Sequence, residues 1–431
     1  MTADRTLTGM SDIFIEKTEN IRKDADCKRT GLYIHIPFCV KKCSYCAFLS
    51  FPADESLRSE YTDALISEII MRSKEHKGAI IDTVYIGGGT PSVLDVSQLS
   101  RIIKAATENF EIAPDAEITL EINPGTLGSK ERVTRAKLNA YRAMGINRLS
   151  MGVQSMDNDR LHFMGRIHTP GDVVRDFRIA REIGFDNINL DLIFSVPGET
   201  TGDAINDAQR IIELRPEHIS CYSLQMEEGT PFFEMAERGE ITEVPDEEDR
   251  ETYHRICRIL GNAGYEHYEI SNFARETYRS KHNSLYWNMD DYIGCGLGAS
   301  GFAGGVRYRN TADPEKYLKF FGSEKSIEVK CADAPYDEVH VNTPFDNISE
   351  AVFTGLRRME GITYTEAARA YRRGTEDAGI DDKSFFWEVF ADARQEAEQY
   401  CEQGFLVIDD RGLRLTEAGI DISNSIMALF V

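Results

Sequence analysis

Three cysteines within eight residues, Cys39, Cys43 and Cys46 of "CVKKCSYC", form a CxxxCxxC array directly after the alternating run "LYIHI". Three closely spaced thiols, where two or four are commoner, narrow the chemistry. A structural zinc site needs four protein ligands, and its cysteines normally come in two separated pairs. No second Cys or His pair stands at matching spacing here. Three inert core cysteines are the bland reading, but Lys41, Lys42 and Ser44 make the intervening stretch a polar loop. Three thiolates can instead hold three irons of a [4Fe-4S] cluster and leave the fourth iron open to an exchangeable ligand. The total of nine cysteines is odd, and the chain has no secretion signal, so a disulfide framework is disfavoured. Cys295, in the glycine-rich "GCGLGASG", reads as a small buried hydrophobe.

The elements that must position these thiols are strands alternating with helices. Strand-like runs stand at 32–36, 82–88, 117–122, 148–153, 187–194 and 218–224, and Tyr61, Leu65 and Ile69 repeat at helical spacing in the first crossover, as do Tyr253, Ile256, Cys257 and Leu260 in a later one. Such alternation implies right-handed parallel βαβ units and a closed or partial (β/α) barrel, an α/β fold. Barrel chemistry gathers at the carboxyl ends of the strands. That is where the cysteine array, "GGGTP" (87–91), Glu121 with Asn123, Gln154 and Asp191 fall. Glycines at such a strand end let backbone approach a bound group closely, and no GK[ST] follows to suggest a P-loop.

The length of 431 residues suits one large domain and a smaller one. Residues 1–30 read as a leader without an apolar block, so a cytoplasmic location is expected. Residues 31–270 would form the barrel and 271–340 a connecting region. Residues 341–431 would form a small helical or winged-helix-like domain with a hairpin at "DDRG". No stretch approaches a membrane span. The formal net charge of −23 argues against duplex nucleic acid as the main partner.

The array, with an aromatic neighbour of its last cysteine and the barrel pattern behind it, resembles the radical S-adenosylmethionine (SAM) superfamily. That resemblance implies that SAM chelates the open iron through its amino and carboxylate groups, and that one electron cleaves its sulfonium to a 5′-deoxyadenosyl radical. "YIHIPFC", "EINPGT", "RLSMGVQS", "MGRIHT" and "NLDLIFSVPGET" further resemble, in order and spacing, the subfamily of oxygen-independent coproporphyrinogen III oxidase. The match implies SAM contacts at Tyr33, Gly88, Gly89, Thr90 and Glu121, and a second SAM at Gln154, Arg166 and Asp191. It names no catalytic residue. Glu121 and Asp191 can accept hydrogen bonds from ribose hydroxyls, and Arg166 can fork onto a carboxylate; the structural alternative for each is a wall ion pair. His35, which can simply bond its neighbours, stays outside the named site.

Two features depart from the oxidase. Its further cysteine two residues after the array is absent, with Ala47 and Phe48 following Cys46, and "HNSLYW" (282–287) resembles the HNxxYW signature of HemW-type heme chaperones. The resemblance implies heme as cargo, with His282 as an iron ligand and Tyr286 and Trp287 as flat faces for a macrocycle. The bland alternative is a loop whose aromatics pack on the barrel end. The leading expectation is therefore a heme chaperone that carries a cluster and SAM. Its partners would be acceptor hemoproteins, respiratory ones among them, with room for peripheral membrane contact. The second is an enzyme that decarboxylates coproporphyrinogen III propionates, and the third a heme-degrading radical SAM methyltransferase.

Overall fold

A computed structural model describes residues 29–323, 333–373 and 381–431, so the expected leader lies, up to residue 28, outside the described residues. Six parallel strands, β1 (Arg29–Ile36), β2 (Ile80–Gly88), β3 (Glu111–Ile122), β4 (Arg148–Gln154), β5 (Ile188–Phe194) and β6 (His218–Ser223), neighbour one another in chain order. All six strand-like runs of the sequence are strands. The crossover helices begin on side-chain caps: Asp54 before Glu55–Glu75, Asp95 with Gln98 before Val96–Asn109, Thr169 with Asp172 before Pro170–Ile183, and Thr200 with Asp203 before Thr201–Leu214. Each cap satisfies backbone N–H groups that a helix start leaves open.

Strand side chains alternate between two environments, as a period of two dictates. Leu32, Ile34 and Ile36 of β1, Leu149, Met151 and Val153 of β4, and Leu190 and Leu192 of β5 join the helices' Leu65, Ile69, Leu99, Ile102 and Phe177 in one core. Full burial of each such side chain contributes about 1.5–3 kcal/mol. The intervening positions carry Tyr85, Glu121, Ser150, Gly152, Gln154 and Asp191, and these face a cavity on the other side.

The barrel is partial. At one edge β6 pairs with β8 (Asn272–Ala274) and then β7 (Glu266–Glu269), both joints antiparallel. At the other, β1 pairs parallel with β9 (Tyr292–Cys295), followed by antiparallel β10 (Ser300–Ala303), β11 (Val306–Asn310) and β12 (Tyr336–Val341). Both outer edges of the six-strand unit are thus taken, leaving one open sheet of 12 strands. Part of the 271–340 stretch, expected to connect domains, therefore builds this sheet. It is fastened by a buried pair, Arg72 and Glu68 (3.1 Å), whose other partners include the Gly296 N–H, the Tyr317 and Tyr336 hydroxyls and the Asn310 amide. Each charge is fully hydrogen-bonded, the condition under which a buried ion pair is tolerated.

The carboxyl-terminal region is helical, with helices including Pro344–Gly355, Tyr364–Tyr371, Asp382–Val389 and Arg394–Glu402 beside a three-stranded sheet. In that sheet β14 (Leu406–Ile408) and β15 (Gly412–Leu415) form the hairpin at "DDRG", with Asp409 accepting from the Arg411 and Gly412 N–H groups, and β13 (Ile362–Thr363) pairs on β15. Among the described residues no helix is long and apolar enough to cross a membrane.

Candidate functional site

The cysteine loop leaves the carboxyl end of β1 and is pinned on three sides. Cys39 N–H donates to Phe51 O (3.1 Å) and Phe51 N–H to Pro37 O (2.9 Å), closing the loop at its base. Ser44 N–H donates to Met164 O (3.0 Å), and Phe232 N–H to Ser44 O (2.9 Å), docking its tip on two neighbouring segments. "GGGTP" supplies the third contact: Gly89 N–H donates to Ile36 O (2.8 Å) and Thr90 N–H to Phe38 O (2.7 Å). A β-carbon on Gly89 would stand 2.8 Å from Phe38 O, so this approach requires glycine. The Thr90 hydroxyl then lies 3.4 Å from Cys39 Sγ and accepts from the Asn123 amide (2.7 Å).

Cys39, Cys43 and Cys46 are free, half-buried thiols bordering one cavity of about 500 Å³, a size ordinary for a small-molecule site. Among the described residues no three His, Cys, Asp or Glu side chains are grouped to share a single metal ion. A cubane distributes its ligands over separate irons and does not need such grouping.

Gly88, Gly89, Thr90, Glu121, Gln154, Arg166 and Asp191 border the same cavity. Burial raises the Glu121 carboxyl to about 7, and the Asp191 charge adds to the rise, while the Tyr85 hydroxyl (2.7 Å), the Gly88 N–H (3.0 Å) and Arg148 oppose it. Asp191 is also raised by burial, held back by the Asn189 amide (2.7 Å), Ser220 and Arg148. Among the described residues Arg166 pairs with no carboxylate. It donates to Asn123 Oδ1 and Gly152 O, both at 2.6 Å, and stands 3.6 Å from Cys43 Sγ. Its cation therefore sits beside a cysteine of the array. Gln154 adopts φ 66°, a left-handed backbone unusual outside glycine, and its buried Oε1 has no hydrogen-bond partner in the protein.

Four expected residues lie elsewhere. Tyr33 sits below the cavity, its hydroxyl 2.9 Å from His35 Nδ1 and its ring stacked on Tyr85 at 6.2 Å. His282, Tyr286 and Trp287 belong to a short helix, Lys281–Trp287, under the amino ends of the strands. There the His282 backbone N–H donates to Glu117, Nδ1 lies 2.7 Å from Thr83 Oγ1 and Nε2 lies 2.8 Å from the Tyr286 hydroxyl. Burial lowers its pKa to about 3, so the ring is neutral. Trp287 packs under Arg357 at 4.8 Å. Both ring nitrogens of His282 thus have protein partners, and the helix does not border the cluster cavity.

Tyr85 and Arg148 escaped the reading of the sequence, which used Tyr45 only as the aromatic neighbour of Cys46. Tyr45 borders the cavity within the cysteine loop. Arg148, 1% exposed at the start of β4, has a buried Nε with no partner, and its charge lowers the pKa of Glu121, Asp191, His218 and His282. The signal was available in the period of two: Tyr85 shares the inward face of β2 with Thr83 and Gly87, and Arg148 that of β4 with Ser150, Gly152 and Gln154.

Three comparisons bear on this site. The model of the radical SAM superfamily matches residues 33–211. "Heme chaperone HemW" of Bacillus subtilis (strain 168) is 33% identical over 400 residues, which cover 93% of this chain and 98% of that protein. "Heme chaperone HemW" of Escherichia coli (strain K12) is 34% identical over 408 residues, covering 93% and 98%. Among solved structures, coproporphyrinogen III oxidase (HemN) from Escherichia coli, a radical SAM enzyme, aligns with a TM-score of 0.77 at 23% identity, over 97% of this chain and 92% of that one. That likeness establishes the fold.

Proposed function

Because the chain belongs to the radical SAM superfamily and, within it, to the HemW family, we propose that it is a heme chaperone. It binds heme, a [4Fe-4S] cluster and SAM, and hands heme to an acceptor hemoprotein. The observation that carries the reading is the match to HemW proteins over nearly the whole length of both chains. We place it in the cytoplasm, with respiratory hemoproteins among its acceptors.

Cys39, Cys43 and Cys46 would hold the cluster, which when bound supplies single electrons. Around it this chain's residues bind and orient. Arg166 places its cation beside Cys43 and ties that loop to Asn123 and Gly152. The Glu121 carboxyl, oriented by Tyr85 and Gly88, and Asp191, oriented by Asn189, are acceptors for the hydroxyl and amino groups of SAM. Gln154 adds an acceptor without a protein partner. Gly88, Gly89 and Thr90 bring backbone to the same wall.

The test is an anaerobic titration of the cluster-reconstituted protein with heme, followed at the Soret band. Saturation near one heme per chain is expected. Absence of stoichiometric binding, together with turnover of coproporphyrinogen III, would replace this reading with the oxidase. Replacing any of Cys39, Cys43 or Cys46 with Ala is expected to abolish the broad visible absorption of the cluster.

A further inference from the structure

Large apolar side chains exposed at a protein surface are individually ordinary, but their concentration around one opening marks a binding surface. Among the described residues nine large hydrophobics are prominently exposed, and four of them border the cluster cavity: Phe48 (69%), Ile167 (52%), Val40 (55%) and Tyr222 (40%). They come from separate parts of the chain. Val40 and Phe48 lie on the cysteine loop, Ile167 follows the helix Asn158–Phe163, and Tyr222 ends β6. The backbone bonds that pin the cysteine loop hold Val40 and Phe48 outward, so their exposure is built into the same geometry that presents the thiols.

Beside this apolar rim stand Lys41 and Lys42, both exposed and without an ion pair among the described residues, on a chain of net charge −23. An apolar opening flanked by two adjacent cations matches a flat, apolar dianion. Heme has that chemistry, a broad aromatic face with two propionates on one edge. The HNxxYW helix offers it no such surface, since His282 is buried and bonded at both ring nitrogens.

We propose that heme docks across the mouth of the cluster cavity, its face on Val40, Phe48, Ile167 and Tyr222 and its propionates toward Lys41 and Lys42. The proposal rests on the heme-chaperone reading and assigns its cargo site. Heme and the cluster then share one opening, and the loop that carries the three thiols is also the loop that senses the cargo.

The experiment is anaerobic heme titration of the reconstituted full chain and its variants, with iron content measured for each before heme is added. Val40→Asp/Phe48→Asp is expected to weaken heme binding about tenfold or more, since each buried side chain is worth about a tenfold step. Ile167→Asp, outside the cysteine loop, is expected to weaken it likewise and decides the matter if the loop variant loses iron. Lys41→Glu/Lys42→Glu is expected to weaken heme binding while leaving the affinity for heme dimethyl ester unchanged. Phe345→Asp, an equal change at a residue 46% exposed on the carboxyl-terminal region, is expected to bind as the wild type does. If the wild type binds heme and Ile167→Asp and the lysine variant bind it equally well, the rim is not the site, although the chaperone reading stands. If the wild type binds no heme, that reading fails itself.

Discussion

The imidazole of His282 lies stacked on the phenol of Tyr85, ring centroids 5.1 Å and planes 26° apart, while the Tyr85 hydroxyl donates to Glu121 at 2.7 Å. The helix under the barrel is thereby coupled to a carboxylate on the cavity wall through one side chain. Tyr85→Phe keeps the stacked ring and removes the donor. SAM affinity is expected to fall about tenfold, the worth of one hydrogen bond to a charged group. The hydroxyl also holds the Glu121 pKa down from where burial would put it. Without it the carboxyl stays protonated to higher pH, so the pH midpoint of SAM binding moves upward. Equilibrium dialysis of the reconstituted protein across pH 6–9 measures both effects; an unchanged affinity and midpoint would detach Glu121 from SAM.

Arg166 stands 3.6 Å from Cys43 Sγ with a full positive charge. A cation beside a cluster ligand favours the reduced, more negative state, and hydrogen bonds to the sulfurs act in the same direction. Arg166→Met is expected to lower the cluster midpoint potential by on the order of 60 mV, which is one tenfold step for a single electron. Redox titration followed by electron paramagnetic resonance reads it directly. A potential equal to that of the wild type would confine Arg166 to holding Asn123 and Gly152.

Gly88 and Gly78 both have positive φ, +107° and +92°, but a β-carbon on Gly88 would clash with the His35 ring whereas one on Gly78 meets nothing within 4 Å. Gly78→Ala therefore isolates backbone strain, about 1 kcal/mol. Gly88→Ala adds overpacking, for about 2–4 kcal/mol in all. Urea midpoints of the two variants should separate accordingly, and equal losses would show that His35 yields without cost.

His282 is neutral in the folded chain down to about pH 3, against an ordinary 6.5. Below pH 6.5 the unfolded chain takes up a proton that the folded chain refuses. Its contribution to stability is therefore complete above 6.5 and is lost as pH falls toward 3. At pH 5 the loss is about 2 kcal/mol. His282→Gln, which cannot titrate, is expected to lose that much less stability than the wild type between pH 7.5 and 5 in urea unfolding. Parallel losses in the two proteins would mean that the ring is protonated within the fold.

The sequence by itself determined what is local and periodic. Six strand runs were legible because apolar residues such as Leu32, Ile34 and Ile36 recur at a period of two on the face that packs against helices. The cavity's residues were legible because a barrel collects its chemistry at strand ends, so Cys39, Gly88, Glu121, Gln154 and Asp191 could be placed together from their positions alone. Only the tertiary structure decided the rest. Whether the barrel closes depends on which strands take its two edges, and β9 reaches β1 from some 260 residues away in the chain. The sequence offers His282 as a candidate ligand but shows none of the partners its ring has in the fold. Its engagement by Thr83 and Tyr286 and its stacking on Tyr85 exist only once strand β2 and the helix Lys281–Trp287 are brought together. The same holds for the apolar rim, since exposure is a property of how three distant segments are arranged around one opening, and no residue type carries it alone.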